Sequence, residues 1–450
     1  MNGGGLALFT DLYELTMLQA YENTGMRGTA VFDLFFRGLP ARRNFLVACG
    51  LDSVLSYLET LSFAPEDLDY LRSLGLFSEA FLSRLETLRF TGDVRAVPEG
   101  TVVFPPAPIL ELEAPLPEAQ LVETFLLNQL TFETMIASKG ARAIIAARGR
   151  RLVDFGSRRA HGIDAARKAA RALYLAGFDA TSNVLAGKLY GIPVVGTMAH
   201  SYVEAHESEL ESYRTFAATY PEATLLIDTY DTLDGARRVV QLAEELGDDF
   251  RVSGVRLDSG DLGRLAFAVR RVLDEAGLAK VRVVASGGLD EYSIDKLVAG
   301  GAPIASFGVG TSAVVSSDAP AIDSAYKLVS YEGRARMKLS AKKATLPGKK
   351  QVFRRVEGGV IAGDVIALQD ESLPGEPLLR EVMRGGRRTP AGVESLAEGR
   401  ERARAELARL PERLRALSTA RPPYPVTVSE RLRAEERRLR RALAREATRP

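Results

Sequence analysis

Between residues 151 and 308, short apolar runs rich in β-branched residues alternate with stretches of helical spacing. This alternation restricts the fold more than any other feature. The strand-like runs are 151–155, 178–183, 192–197, 224–228, 252–257, 281–285 and 304–308. Helix-like stretches lie between them at 163–176, 207–219, 235–246, 262–276 and 290–298. Parallel strands need a crossover, usually a helix, so six or seven such units predict a parallel sheet covered by helices. Open and closed sheets both satisfy the pattern. Polar clusters follow the strands, and they converge on one ligand only if the strand ends form a ring. The expected fold class is therefore α/β, an irregular TIM-like barrel over residues 136–324.

The flanking regions read differently. Residues 1–135 mix helices and strands without alternation and predict an α+β domain. Thr10 and Asp11 are placed to cap a helix, with Glu14 at the capping-box spacing from Asp11. Residues 29–36 read as a strand, 52–90 as three helices, 94–112 as strands and turns, and 116–137 as a long helix. Residues 325–450 form a C-terminal segment whose strands are expected to join the α+β domain, followed by charged helical stretches at 394–417 and 429–445. Pro411 should break the first. Acids balance the bases in these helices, which predicts solvated faces rather than a nucleic-acid surface.

Composition excludes several classes of function. With 59 Lys and Arg against 58 Asp and Glu, no global charge favours nucleic acid or a membrane surface. Cys49 is the only cysteine, so neither an internal disulfide nor a cysteine metal site is available. No run reaches the roughly 18 apolar residues of a membrane helix. The first residues lack the basic leader and apolar core of a signal peptide. A cytoplasmic protein is expected.

The candidate chemistry sits at the ends of the strand-like runs. VSGVRLDSGDL, residues 252–262, places Arg256 and Asp258 two apart, hence on one face of a strand. A cation and a carboxylate facing one small molecule suit a ligand with phosphate and hydroxyl groups. Phe155 is followed by Arg158 and Arg159, which suit an anion, although two surface arginines in salt bridges would look the same. His200 is one of three histidines, and a lone histidine is more often structural than catalytic. Its spacing from His206 does not match a helical metal pair, and no permanent protein metal site is expected. Asp228 and Asp231 end another run, where they can meet magnesium or hydroxyls, or where Asp231 can simply cap a helix. Gly287 and Gly288 after one strand, and Gly310 and Thr311 after the next, form glycine-rich turns of the kind that cradle phosphate in barrels.

These residues describe a phosphosugar site. FTDLYELTM at Phe9, DFGSRRA at Asp154, FDATSNVLAG at Phe178, GTMAHS at Gly196, RLDSGDL at Arg256 and LPGKKQVFR at Leu346 resemble nicotinate phosphoribosyltransferase, in the family's order and over most of the chain. The resemblance implies a type II phosphoribosyltransferase fold. It implies formation of nicotinate mononucleotide and diphosphate from nicotinate and 5-phosphoribosyl 1-diphosphate, in NAD biosynthesis and salvage. It also implies ATP as co-substrate and Mg2+ with the diphosphate.

On this resemblance His200 is the residue phosphorylated by ATP, Asp258 holds the ribose hydroxyls, and Asp228 lies near the ribose and its magnesium diphosphate. Gly287, Gly288, Gly310 and Thr311 take the 5′-phosphate. Phe155 stacks on the pyridine, with Arg158 and Arg256 facing the ring or the phosphates. Tyr13 reaches the pyridine of a neighbouring subunit, which implies a homodimer with shared sites. The basic segments 37–43 and 327–350 are expected to contact phosphates. Related nicotinamide enzymes carry aspartate where Ser182 stands, so Ser182 favours the acid over the amide. Ala180 departs from the family's usual glycine and bears only on local loop geometry.

Three rival readings remain at this stage. A quinolinate-type phosphoribosyltransferase shares the barrel type but has no use for a phosphohistidine. A non-catalytic homologue would lack one or more of His200, Asp258 and Arg158, all of which are present. A phosphosugar aldolase or isomerase would need a lysine or glutamate at a strand end, and none stands out.

Overall fold

The computed structural model describes residues 6–340 and 345–447. Two compact units emerge, one from residues 1–135 with 321–450 and the other from residues 136–320. Among the described residues no helix is long and apolar enough to cross a membrane.

In the second unit the alternating pattern folds into six parallel strands: β1 (Arg151–Asp154), β2 (Ala180–Thr181), β3 (Thr224–Leu226), β4 (Gly254–Leu257), β5 (Arg282–Ala285) and β6 (Ser306–Val309). Their lateral order is β2-β1-β6-β5-β4-β3, so the last strand pairs with the first, as in a barrel. Val194 adds an isolated parallel bridge to Thr181 beyond β2. The ring is open only between Val194 and β3, which makes the barrel irregular. The run 192–197 was expected to be a full strand and is reduced to that one bridge. Pro193 lacks a donor and glycine follows at 196, so the run cannot sustain a ladder on both edges.

Side chains alternate along each strand. Leu152, Leu225, Val255, Leu257, Val283, Ala285, Phe307 and Val309 are buried on the helix-facing side. The covering helices include α1 (Ile163–Ala176), α2 (Val184–Tyr190), α3 (His200–Glu204), α4 (Glu209–Thr219), α5 (Thr232–Leu246), α6 (Leu262–Glu275), α7 (Glu291–Ala299) and the short α8 (Thr311–Val314). They present apolar stripes to that face, such as Val239 and Leu242 on α5 and Ala266, Val269 and Leu273 on α6. The positions facing the barrel axis include the small Gly254 and Ser306 and the charged Arg151 and Arg282, which matters below.

In the first unit, strands from both ends of the sequence interleave. Thr29–Phe36 lies between Ser324–Tyr331 and Pro108–Pro115 in a seven-stranded sheet, and Lys350–Glu357 pairs with Val360–Leu368 in a four-stranded one. The first helix is Leu12–Thr24, and its expected capping box is not formed. Asp11 instead accepts a hydrogen bond from Thr124, and Glu14 is bound by the Thr10 hydroxyl. The expected long helix is broken at Val122 and then runs as Glu123–Ala147, well past 137. Pro411 does separate two helices, Leu396–Ala408 and Glu412–Arg415.

Three residues of the basic segments are held in ion pairs within the unit. Arg37 pairs with Asp323, Lys349 with Glu113, and Lys350 lies buried against Asp33 at 2.9 Å. Residues 341–344 lie outside the described residues. At these three positions the basic residues are engaged by carboxylates of their own unit; for the buried Lys350 a counter-charge is what makes burial tolerable, whereas Arg37 and Lys349 stay partly exposed.

Candidate active site

The carboxyl ends of the barrel strands carry the candidate residues, and β4 organises them. Arg256 and Asp258 do leave the strand on one side: Arg256 Nη2 donates to Asp258 Oδ1 at 2.6 Å. The same guanidinium donates from Nε to Ser286 Oγ at 2.7 Å and from Nη1 to Thr197 Oγ1 at 2.9 Å. It also lies 5.4 Å from the centre of the Phe155 ring. Each of its three nitrogens is therefore engaged within the protein. Its role is to hold the ring, Asp258 and the Thr197 loop in one arrangement.

Asp258 receives the Ser286 hydroxyl as well. Burial alone would raise its carboxyl, but the Ser286 hydrogen bond, the Arg256 charge and the nearby His200 together hold it below the ordinary aspartate value. These contacts favour its anionic form. His200 opens α3, with Nδ1 3.1 Å from the Thr229 hydroxyl and Nε2 4.0 Å from Asp258 Oδ2. The contact to Thr229 orients the ring and leaves Nε2 on the Asp258 side.

Asp228, at the end of β3, reaches across to β4. Its Oδ2 accepts from the Asp258 amide at 2.9 Å and the Ser259 hydroxyl at 2.6 Å. Its Oδ1 is buried and has no partner among the described residues. Asp231 proves to be a cap, accepting from the amides of Leu233 and Asp234 at the start of α5.

Glycines shape the floor and the turns. A Cβ at Gly308 would lie 2.3 Å from the Phe155 ring, so glycine is what leaves room for that ring beside the strand. Gly287 has φ +92°, and a Cβ there would strike the Asp258 carbonyl. Phe155, Arg158, Arg256, Asp258, Gly287, Gly288, Gly310 and Thr311 all line one cavity of about 370 Å³, together with Arg159 and Ser286. Arg158 and Arg159 are exposed there and have no acidic partner among the described residues. His200, Asp228 and Ser182 do not line this cavity. His200 and Asp228 join it through Asp258. Tyr13 belongs to the other unit, with 47% of its surface exposed.

Sequence reasoning missed Asp154 and Thr229. The Asp154 carboxylate is buried, accepting from the Gly156 amide at 2.8 Å and the Thr181 hydroxyl at 2.7 Å, while its carbonyl accepts from the Ser182 amide. Burial raises its carboxyl above the usual range, against the pull of those hydrogen bonds. It fastens the Phe155 turn to the Ser182 turn. Its place at a strand end before glycine was the available signal. Thr229, between two more conspicuous aspartates, offered none.

The chain that carries this geometry is similar to proteins of known family. Residues 8–131 match the nicotinate phosphoribosyltransferase N-terminal domain, and residues 150–343 match the nicotinate phosphoribosyltransferase family. The chain belongs to the nicotinate phosphoribosyltransferase family. A nicotinate phosphoribosyltransferase of Mycobacterium tuberculosis is 54% identical, over 98% of this chain and 95% of that protein. The crystal structure of human nicotinic acid phosphoribosyltransferase superposes with a TM-score of 0.84 at 32% identity, covering 96% of this chain and 99% of the human one. A nicotinate-nucleotide pyrophosphorylase from Pyrococcus furiosus has a TM-score of 0.72 at 27% identity, covering 90% and 95%. Family membership and the barrel agree with the motifs at Asp154, Gly196 and Arg256.

Proposed function

We infer that the chain transfers the phosphoribosyl group of 5-phosphoribosyl 1-diphosphate to the ring nitrogen of nicotinate, a step of NAD biosynthesis. The nitrogen lone pair forms the new bond to the anomeric carbon. The bond to diphosphate breaks, and its electron pair leaves with the diphosphate. The observation that carries this reading is the cavity in which Phe155, Arg158, Asp258 and both glycine turns meet.

The residues divide the work by their chemistry. Phe155 offers a flat face for the pyridine. As the diphosphate departs, the ribose carbon becomes cation-like, and the fixed Asp258 carboxylate beside the ribose hydroxyls stabilises that charge more than the ground state. Gly287, Gly288, Gly310 and Thr311 form the turns that suit the 5′-phosphate, and the unpaired Arg158 suits the diphosphate or the nicotinate carboxylate. The buried, unpartnered Oδ1 of Asp228 fits Mg2+, which would neutralise charge on the departing diphosphate.

His200 is our candidate for phosphorylation. A ring nitrogen would take the γ-phosphoryl of ATP with release of ADP, and the added negative charge, released later as phosphate, would bias binding of the magnesium-bearing substrate. Mononucleotide formation, assayed with and without ATP, is expected to be stimulated by ATP in the wild type. In His200→Ala a basal rate remains without stimulation. Equal ATP stimulation in both proteins would remove His200 from this role.

Ser182 is assigned to substrate choice. Its hydroxyl has no protein partner among the described residues, and Ser182→Asp would place an anion beside the nicotinate carboxylate. We expect KM for nicotinate to rise about tenfold or more. Unchanged nicotinate kinetics would count against the assignment.

A homodimer with shared sites is also part of this reading. Tyr13, Leu12 and Phe9 are exposed in one unit, and Ile163, Val184 and Leu189 in the other, apolar surface of the kind that subunit contact covers. A lone buried cysteine suits a reducing compartment, and we assign the chain to the cytoplasm.

A further inference from the structure

The barrel interior contains a cavity of about 1060 Å³, nearly three times that above the strand ends. Closed barrels of this type fill their centres with layers of bulky branched side chains. Here the axis-facing positions include Gly254, Ser306, Val153 and Val284, and the ring lacks a strand between Val194 and Thr224. The centre is consequently a channel rather than a packed core.

Both ends of the channel have a chemical character. At the amino-terminal end Arg151 and Arg282 face it from β1 and β5, on either side of β6. Both are exposed, and neither guanidinium has a hydrogen-bond or ion-pair partner among the described residues. Glu222 lines the same mouth without pairing with either. At the other end the channel reaches Phe155, which also lines the upper cavity. From residue 151 to residue 155 a strand advances about 13 Å.

We propose that this channel is a second binding site, for an organic anion whose flat ring reaches Phe155 and whose carboxylate, sulfonate or phosphate sits about 13 Å away between Arg151 and Arg282. A cavity of this size holds a ligand of small-nucleotide or drug dimensions. An occupant takes one face of Phe155 and so competes with nicotinate. That consequence, unlike the site itself, rests on the role given to Phe155 above.

The test uses 6-(p-toluidino)naphthalene-2-sulfonate, a rod-shaped aryl sulfonate that fluoresces in apolar surroundings. The full chain is expected to bind one equivalent saturably. Arg151→Ala/Arg282→Ala should weaken binding at least tenfold with kcat/KM for nicotinate unchanged, Arg151→Lys/Arg282→Lys should largely restore it, and Ser306→Leu should block the channel. In kinetics the dye should be competitive with nicotinate. Absence of saturable binding, or equal binding by the alanine double variant, overturns the site. Binding without competition overturns the connection to Phe155. Fluorescence is read without turnover, so failure of the enzymatic reading would not be mistaken for failure of the channel.

Discussion

Asp258→Asn is expected to lower kcat/KM for mononucleotide formation by about 10²–10³-fold, the scale seen when one fixed electrostatic contact to a transition state is removed. The substitution is nearly isosteric, and asparagine can still accept hydrogen bonds from Arg256 and Ser286. What disappears is the negative charge opposite the cation-like ribose carbon. Arg256, freed of its counter-ion at 2.6 Å, adds an uncompensated positive charge at the same place. The loss should fall mainly on kcat, with KM for nicotinate little changed, because the ring contact to Phe155 is untouched. Steady-state kinetics with both substrates varied, alongside a melting curve showing an intact fold, checks this. A variant with wild-type kcat would move Asp258 out of the reaction and leave it a brace for Arg256.

Arg354→Ala should destabilise the first unit by about 3–5 kcal/mol, the usual cost of removing one partner from a buried ion pair. Arg354 is completely buried. Its Nε and Nη2 each donate to Asp364 at 2.9 Å, and Nη1 donates to Glu406 at 2.7 Å. Tyr424 adds a hydrogen bond to the same aspartate, and the Phe104 ring lies 5.7 Å from the guanidinium. Truncation leaves the Asp364 carboxylate buried with no counter-charge and leaves Glu406 only its pairing with Arg409. Thermal and denaturant unfolding should show a clearly earlier transition, while activity of the folded variant at low temperature stays near wild type. The opposite result, unchanged melting with a raised KM for the phosphoribosyl substrate, would extend to Arg354 the phosphate contacts expected of segment 327–350.

The motif LPGKKQVFR shows where reading the sequence falls short. Lys349, Lys350 and Arg354 form a dense basic run, and basic runs near a phosphosugar site invite a functional reading. Their partners Glu113, Asp33 and Glu406 come from distant positions that no local pattern specifies, whereas Asp364 faces Arg354 across a hairpin turning at Gly358 and Gly359. Asp228 is a similar case: its position at a strand end was plain, but not that one oxygen would be committed to Asp258 and Ser259.

By itself, the sequence determined the alternating units, the strand ends at which chemistry gathers, and the specific residues Phe155, Arg256, Asp258 and the glycine turns. These follow from local periodicity and from residue types that few backbones demand. Tertiary structure alone decided the lateral order of the strands, the gap beside Val194, the register in which strands from both ends of the chain interleave, and the partners of most buried charges. Those depend on contacts between residues far apart in sequence. The empty barrel axis belongs to this second group, because glycine and serine at axis-facing positions reveal a channel only once the strands are arranged around it.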